Sequence, residues 1–278
     1  MSSCIHRTPV TAQASRVTRG LAVLPGFLAA AFLLAALSVA VRATQAAELQ
    51  AQVSIALRGA VAEVAAAFEK RTGHTVKTTV AAPGEIVAAL QAGRYADVVV
   101  LTNGALGGLE DKGLVRRGRV PLASTGFGIA TRTGDPAPDI STPEALRAAL
   151  LGASKVIYND PKVTPSGQLL LRIAERLGVA EQVKTKAQVV AAGANVTTLA
   201  QDTSPGTVLA LSVLVEIPGH PGAKLVGPLP KELQTPLPYS AVLGAHPVDE
   251  PAAQAFIQAL ASAEAKRAYA AAGFEVEK

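Results

Sequence analysis

The chain has 278 residues, of which 49% are hydrophobic and 17% charged, with one cysteine and no tryptophan. A lone cysteine, Cys4, excludes a disulfide framework and a thiolate metal cluster. The formal charge of +5 is carried by the N-terminus: four of the 26 basic residues (Arg7, Arg16, Arg19 and Arg42) precede the first acid, Glu48, leaving 22 against 21 beyond it, or +1. So even a balance gives no reason to expect a nucleic-acid or membrane-surface partner.

Residues 1–47 read as a cleaved export signal, with arginines first, an apolar run from Leu21 to Val41, and small residues at Ala43, Ala46 and Ala47. Cleavage is expected after Ala46 or Ala47. The competing reading is a retained membrane anchor, because the run approaches the roughly 20 residues that cross a bilayer. Cys4 precedes the apolar run, which rules out lipid attachment at its end, and no twin-arginine pair is present.

From residue 48 onward, β-branched runs alternate with alanine-rich helical stretches, the α/β pattern. The spacing predicts a strand over 52–57, a helix over 60–71 with Val61, Val64, Ala65 and Phe68 on one face, and a strand over 74–80. Pro83-Gly84 opens a helix to Gln91, Asp97 to Leu101 is a strand buried on both faces, and Thr102-Asn103-Gly104 starts a short helix. A second series follows: a strand over 126–131, a helix capped by Ser141 or Thr142 with Pro143 in its first turn, and a strand over 155–158. The turn NDPKVTPSG then leads into a helix over 168–177. Segments 186–190, 194–201 and 207–211 read as strand, helix and strand, and the Pro/Gly-rich stretch 219–238 as a loop. A late strand over 239–243 and two helices within 251–272 complete the chain.

Sequence motifs for a phosphate loop, a nucleophile elbow or a histidine metal site are absent, and the four histidines are scattered. No metal, cofactor or catalytic group is therefore expected. What recurs is a Gly/Ser/Thr/Asn/Pro turn where a strand feeds a helix. Helix N-termini present free N–H groups and partial positive charge, and ligands of open α/β sheets gather there. The candidate ligand-binding residues are Arg58, Gly59, Pro83, Gly84, Thr102, Asn103, Ser166, Gly167 and Asn195. Arg58 is expected at the end of the first strand, where a guanidinium grips a carboxylate or oxyanion. Tyr158 and Tyr239 read as core-edge residues, and Asp97 and Asp160 as holders of backbone and turns.

The order of these motifs resembles a divergent branch of the molybdate-type periplasmic binding proteins of ABC transporters. The stretches that carry it are LRGAVAEVAAAFEKRTGHTVKTTVAAPGEI, ADVVVLTNGALGGLEDKGLV, STGFGIATRTGDPAPDISTPEALRAALL, KVIYNDPKVTPSGQLLLRIAERLGV and AKLVGPLPKELQ. The resemblance implies a two-lobed α/β type II binding-protein fold with a ligand cleft between lobes. Lobe one would comprise 48–122 plus 238–278, and lobe two 123–237. It implies a monomeric periplasmic receptor that captures a small anionic solute by hinge closure and docks on an ABC permease.

Two serines of the family's pattern are replaced, at Ala56-Leu57-Arg58 and Ala82-Pro83-Gly84, and its tyrosine is replaced too, in LALSVLVE around Ser212; only Pro165-Ser166-Gly167 matches. The ligand is thus either a molybdate-like oxyanion or a small carboxylate held by Arg58. An isomerase of a small polycarboxylate such as aconitate is the alternative on the same fold, with Tyr158, Asp160, Glu85 or a histidine as its base. A membrane-anchored signalling or adhesion module is a third reading.

Overall fold

The computed structural model describes residues 46–276, so all but the last two residues of the expected leader lie outside it. The first sheet contains β1 (Glu48–Ser54), β2 (Thr75–Ala81), β3 (Val98–Thr102), β4 (Val120–Thr125) and β10 (Leu237–Leu243), in the order β2-β1-β3-β10-β4. β1 runs parallel to β2 and β3, while β10 is antiparallel to β3 and β4. The second sheet contains β5 (Phe127–Arg132), β6 (Lys155–Asn159), β7 (Ala187–Val190), β8 (Val208–Val213) and β9 (Ala223–Pro228), in the order β7-β6-β8-β5-β9.

The nine described helices are α1 (Arg58–Thr72), α2 (Pro83–Gln91), α3 (Asn103–Asp111), α4 (Pro143–Gly152), α5 (Pro165–Arg176), α6 (Ala180–Thr185), α7 (Asn195–Gln201), α8 (Glu250–Leu260) and α9 (Ala263–Ala271). Their starts follow capping chemistry. Thr142, Thr164, Asp249 and Ser262 each accept a backbone N–H three residues on, with proline in the first turn at Pro143, Pro165 and Pro251. Gly73 ends α1 at φ 76°, a left-handed position that glycine adopts without penalty.

β3 shows why each sheet is covered on both faces. Val98 and Val100 pack with Val61, Val64 and Phe68 of α1, whereas Val99 and Leu101 pack with Ile86 of α2 and Leu106 and Leu109 of α3. In the second sheet, Leu209 and Leu211 of β8 meet Leu170 and Ile173 of α5, and Val208 and Ala210 meet Val196 and Leu199 of α7. Two α/β layers result, joined by Thr125-Gly126-Phe127 and by the return from β9 to β10. The Gln234 side chain ties these connections together, accepting from Phe127 N at 2.8 Å and donating to Phe127 O at 2.9 Å.

Four local expectations need correction. The segment 219–238 is not all loop, because Ala223–Pro228 forms edge strand β9 against β5, where the terminal proline costs no ladder bond. β4 and α6 were not expected at all. β1 ends at Ser54 and a 3₁₀ turn covers Ile55–Leu57, so Arg58 opens α1 instead of closing a strand. No described helix is long and apolar enough to cross a membrane.

Candidate functional site

The carboxyl ends of β1, β6 and β8 face the N-termini of α2 and α5 across the gap between the sheets. There, Ser54 and Ile55, Ala82 and Pro83, Asn159, Thr164 to Ser166, Ala192 and Gly193, Val213, Glu216, Leu237 and Tyr239 enclose a cavity of about 20 Å³. That is room for one or two waters and for nothing larger. The two sides touch directly: Gly84 N on α2 donates to Val163 O before α5 at 3.0 Å. Past this bridge the cleft widens into a cavity of about 380 Å³, reached by Thr102, Asn103, Lys162, Gln168 and Arg172.

The inner cavity is bordered by polar groups whose bonding is incomplete. Ser54 Oγ and Asn159 Oδ1, and away from the lining Asn195 Oδ1, are buried without a hydrogen-bond partner; at the cavity a bound water or ligand would satisfy the first two. Asn159 Nδ2 reaches Ser166 Oγ at 3.4 Å. With the amide turned over, the free atom becomes a donor instead of an acceptor.

Glu216 ends a second 3₁₀ turn, Leu214–Glu216, that follows β8 and folds its carboxyl back over that strand; Ser212 Oγ donates to Glu216 Oε2 at 3.2 Å. Burial raises the Glu216 pKa above the ordinary carboxyl value, while the Ser212 hydrogen bond and the positive charge of Arg58 work against the rise. Tyr239 lies beside it on β10. Burial pushes its hydroxyl far above the usual phenol range, Glu216 adds to this, and the Ser54 hydroxyl opposes it without meeting hydrogen-bond geometry.

The expected site residues divide into distinct groups. Pro83 and Ser166 line the inner cavity, and Gly84 forms the bridge between the lobes. Gly167 is seated against the Asn159 carbonyl and the Pro161 backbone, so α5 can approach β6. Thr102 and Asn103 face the outer cavity, with Thr102 Oγ1 capping α3 and Asn103 Oδ1 accepting from Ser240 Oγ at 2.7 Å. Asn195 is buried with Nδ2 on Leu211 O at 2.7 Å, away from the cavity lining. Arg58 and Gly59 are exposed; Arg58 donates to Ile55 O at 3.4 Å and acts on Glu216 as a nearby charge.

Glu216, Ser54 and Asn159 are lining residues that the sequence did not single out, whereas Tyr239, read as a core-edge residue, and Thr164, at the head of the Pro165-Ser166-Gly167 turn, lie in the lining as well. The one local signal for Glu216 is an acid closing the apolar run LALSVLV. Asp97 and Asp160 hold backbone, Asp97 Oδ2 accepting from Gln50 N at 2.7 Å and Asp160 Oδ1 from Lys162 N at 2.8 Å. Among the described residues no cluster of His, Cys, Asp and Glu is arranged to hold a metal ion.

Residues 49–275 match the family model for bacterial extracellular solute-binding proteins. The chain belongs to this family. This solute-binding protein is 32% identical over 228 residues to an aconitate isomerase from Pseudomonas sp, covering 79% of this chain and 84% of that one. Its fold is similar to the periplasmic molybdate-binding protein of Azotobacter vinelandii, with TM-score 0.67 at 17% identity over 83% of this chain and all of the other. It is also similar to the sulfate-binding protein of Mycobacterium tuberculosis H37Rv, with TM-score 0.66 at 19% identity over 83% and 88% of the two chains. These likenesses establish the two-lobed α/β binding-protein fold of the molybdate type.

Proposed function

We propose that this protein is a periplasmic receptor that closes its two lobes on a small carboxylate anion and presents the closed form to an ABC permease. The observation that carries this reading is the pair of buried, unpartnered polar atoms, Ser54 Oγ and Asn159 Oδ1, facing one cavity from opposite lobes. A ligand that bonds both at once holds the lobes shut. Each such bond recovers a desolvation cost of about 1–3 kcal/mol. A carboxylate fits better than a tetrahedral oxyanion, because the Glu216 carboxyl on the cavity wall can share a proton with it, while Arg58 stands at the exposed rim and Arg172 lines the outer cavity.

A second reading has specific support. Glu216 beside Tyr239 is an acid/base pair that the candidate list of Tyr158, Asp160, Glu85 and histidine did not include, and the relative of 32% identity is an aconitate isomerase. An unsaturated polycarboxylate isomerises when a base removes a proton from the methylene beside its double bond and a proton returns at the other end of the allylic system. A carboxyl with a raised pKa is suited to that exchange. Thermal shift with cis- and trans-aconitate, citrate, sulfate and molybdate tests the receptor. Stabilisation should grow with ligand concentration. Proton NMR of the stabilising ligand in heavy water separates the readings: no conversion and no deuterium uptake for a receptor, both for an isomerase. Stabilisation by sulfate or molybdate and by no carboxylate would reject the carboxylate assignment.

A further inference from the structure

We propose that Glu216 makes ligand capture proton-linked and sets the cleft against fully ionised tetrahedral oxyanions, selecting a ligand that shares a proton with this carboxyl. The inference rests on the anion-binding reading above and holds for a receptor or an isomerase alike.

The geometry around Glu216 leaves few ways to neutralise it. Its Oε2 accepts from Ser212 Oγ, which is fully buried, and no ion pair within 4.0 Å is formed by Glu216 among the described residues. The charged and titratable groups that bear on it are Arg58 at the start of α1 and the Tyr239 hydroxyl on β10. On the other elements packed around the cavity, Glu85 of α2 is turned to Ala82 N at 3.1 Å, and Asp160, before α5, to Lys162 N. The remaining polar groups of the inner lining, Ser54, Asn159, Thr164 and Ser166, carry no charge, and the cations Lys162 and Arg172 line the outer cavity beyond the bridge.

An anion closed into this space has a carboxyl as a wall. If Glu216 stays ionised, two like charges share a volume of low dielectric; if it takes up a proton, it becomes a hydrogen-bond donor to the anion. Closure on an anion therefore pulls one proton onto the Glu216–ligand pair. A carboxylate shares that proton readily, whereas sulfate, the conjugate base of a strong acid, is a poor proton acceptor. The neutral wall groups would otherwise suit either ligand. Discrimination against sulfate comes from this one repulsive element.

The test uses the chain from Glu48 onward, with calorimetry of trans-aconitate and sulfate between about pH 6 and 9, where both probes are already ionised. The wild type is expected to bind aconitate with uptake of up to one proton, its affinity falling by as much as tenfold per pH unit as pH rises. Buffers of different ionisation enthalpy count that proton. Glu216→Gln removes the charge without changing the shape. It should bind sulfate at least tenfold tighter than the wild type and lose the proton uptake. Ser212→Ala removes a bond that favours the ionised carboxyl and should move the pH midpoint upward. Should Glu216→Gln melt with the wild type and bind sulfate no better, the inference is overturned, whatever aconitate does. A wild type that binds aconitate with no proton uptake overturns it as well. A wild type that binds no carboxylate, beside a Glu216→Gln variant that gains sulfate, rejects the carboxylate assignment and keeps this inference.

Discussion

Replacing Gly84 with alanine places one methyl group at the contact that closes the lobes. A Cβ there would lie 2.6 Å from Val163 Cα and 2.9 Å from Val163 O, against the 3.4 Å and more of an ordinary contact, so about 0.8 Å of separation must be found. The obstacle is backbone, which cannot rotate away. Gly84 sits in the first turn of α2 at no positive φ, so alanine suits its conformation and should if anything favour the helix, by up to about 1 kcal/mol. The damage is thus confined to closure. Overpacking of this kind costs about 1–3 kcal/mol, including the hydrogen bond from Gly84 N to Val163 O. Affinity should fall about 5- to 150-fold while the melting temperature of the free protein holds or rises. Calorimetry gives the first quantity, scanning calorimetry the second, and small-angle scattering should show the liganded variant staying wider than the liganded wild type. Unchanged affinity with a wild-type decrease in radius on binding would refute the assignment of this contact as the closing surface.

Gly167→Ala should instead damage the fold. Its Cβ would strike the Asn159 carbonyl and come within 2.8 Å of Pro161 N, lifting α5 from β6; a stability loss of about 1–3 kcal/mol in urea titration is expected. Arg58→Ala should leave stability within about 0.5 kcal/mol and weaken carboxylate binding a few-fold, an effect that shrinks as salt is added because the side chain is exposed. Asp202 predicts an acid limb. Burial alone would raise its pKa, but hydrogen bonds from Lys155, at 2.5 Å, and Ser204 outweigh it and lower the value from 3.8 to about 2. A depressed folded pKa means stabilisation present above pH 3.8 and lost as pH falls towards 2. Asp202→Asn should therefore cost about 2 kcal/mol at neutral pH and flatten the loss of stability on acidification.

The parts of the fold that were legible in the sequence are those written in one stretch of chain. β3 is five consecutive buried residues, and α4 announces itself through Thr142, Pro143 and an apolar stripe ending in Leu146 and Leu150. β9 was hidden because none of its six residues is fully buried and its glycine and proline imitate a loop. α6 is six residues with one buried side chain, too short for a period to show. The site follows the same rule. Helix starts at Pro83 and Ser166 were readable, since a cap and a first-turn proline are local signals. Asn195 misled because the same residue type that opens a ligand site also satisfies a buried carbonyl, here that of Leu211. Tyr239 needed knowledge of distant pairing, since β10 enters antiparallel between β3 and β4. Glu216 depended on a turn that no periodicity specifies.

That last residue also bears on how one architecture serves neighbours that bind tetrahedral oxyanions and a relative that isomerises a polycarboxylate. In the proposed receptor, closure excludes water so that neutral donors hold an anion without much formal positive charge. In this chain the group placed at the end of β8 is Glu216. A neutral side chain there leaves a cavity that any anion of the right size can enter. A carboxyl makes entry conditional on a proton, and a carboxyl that holds an exchangeable proton beside a bound carbon skeleton is already most of an acid/base catalyst. The step from receptor to isomerase on this scaffold then requires little new protein: a ligand with a double bond, and a position for its methylene within reach of Glu216.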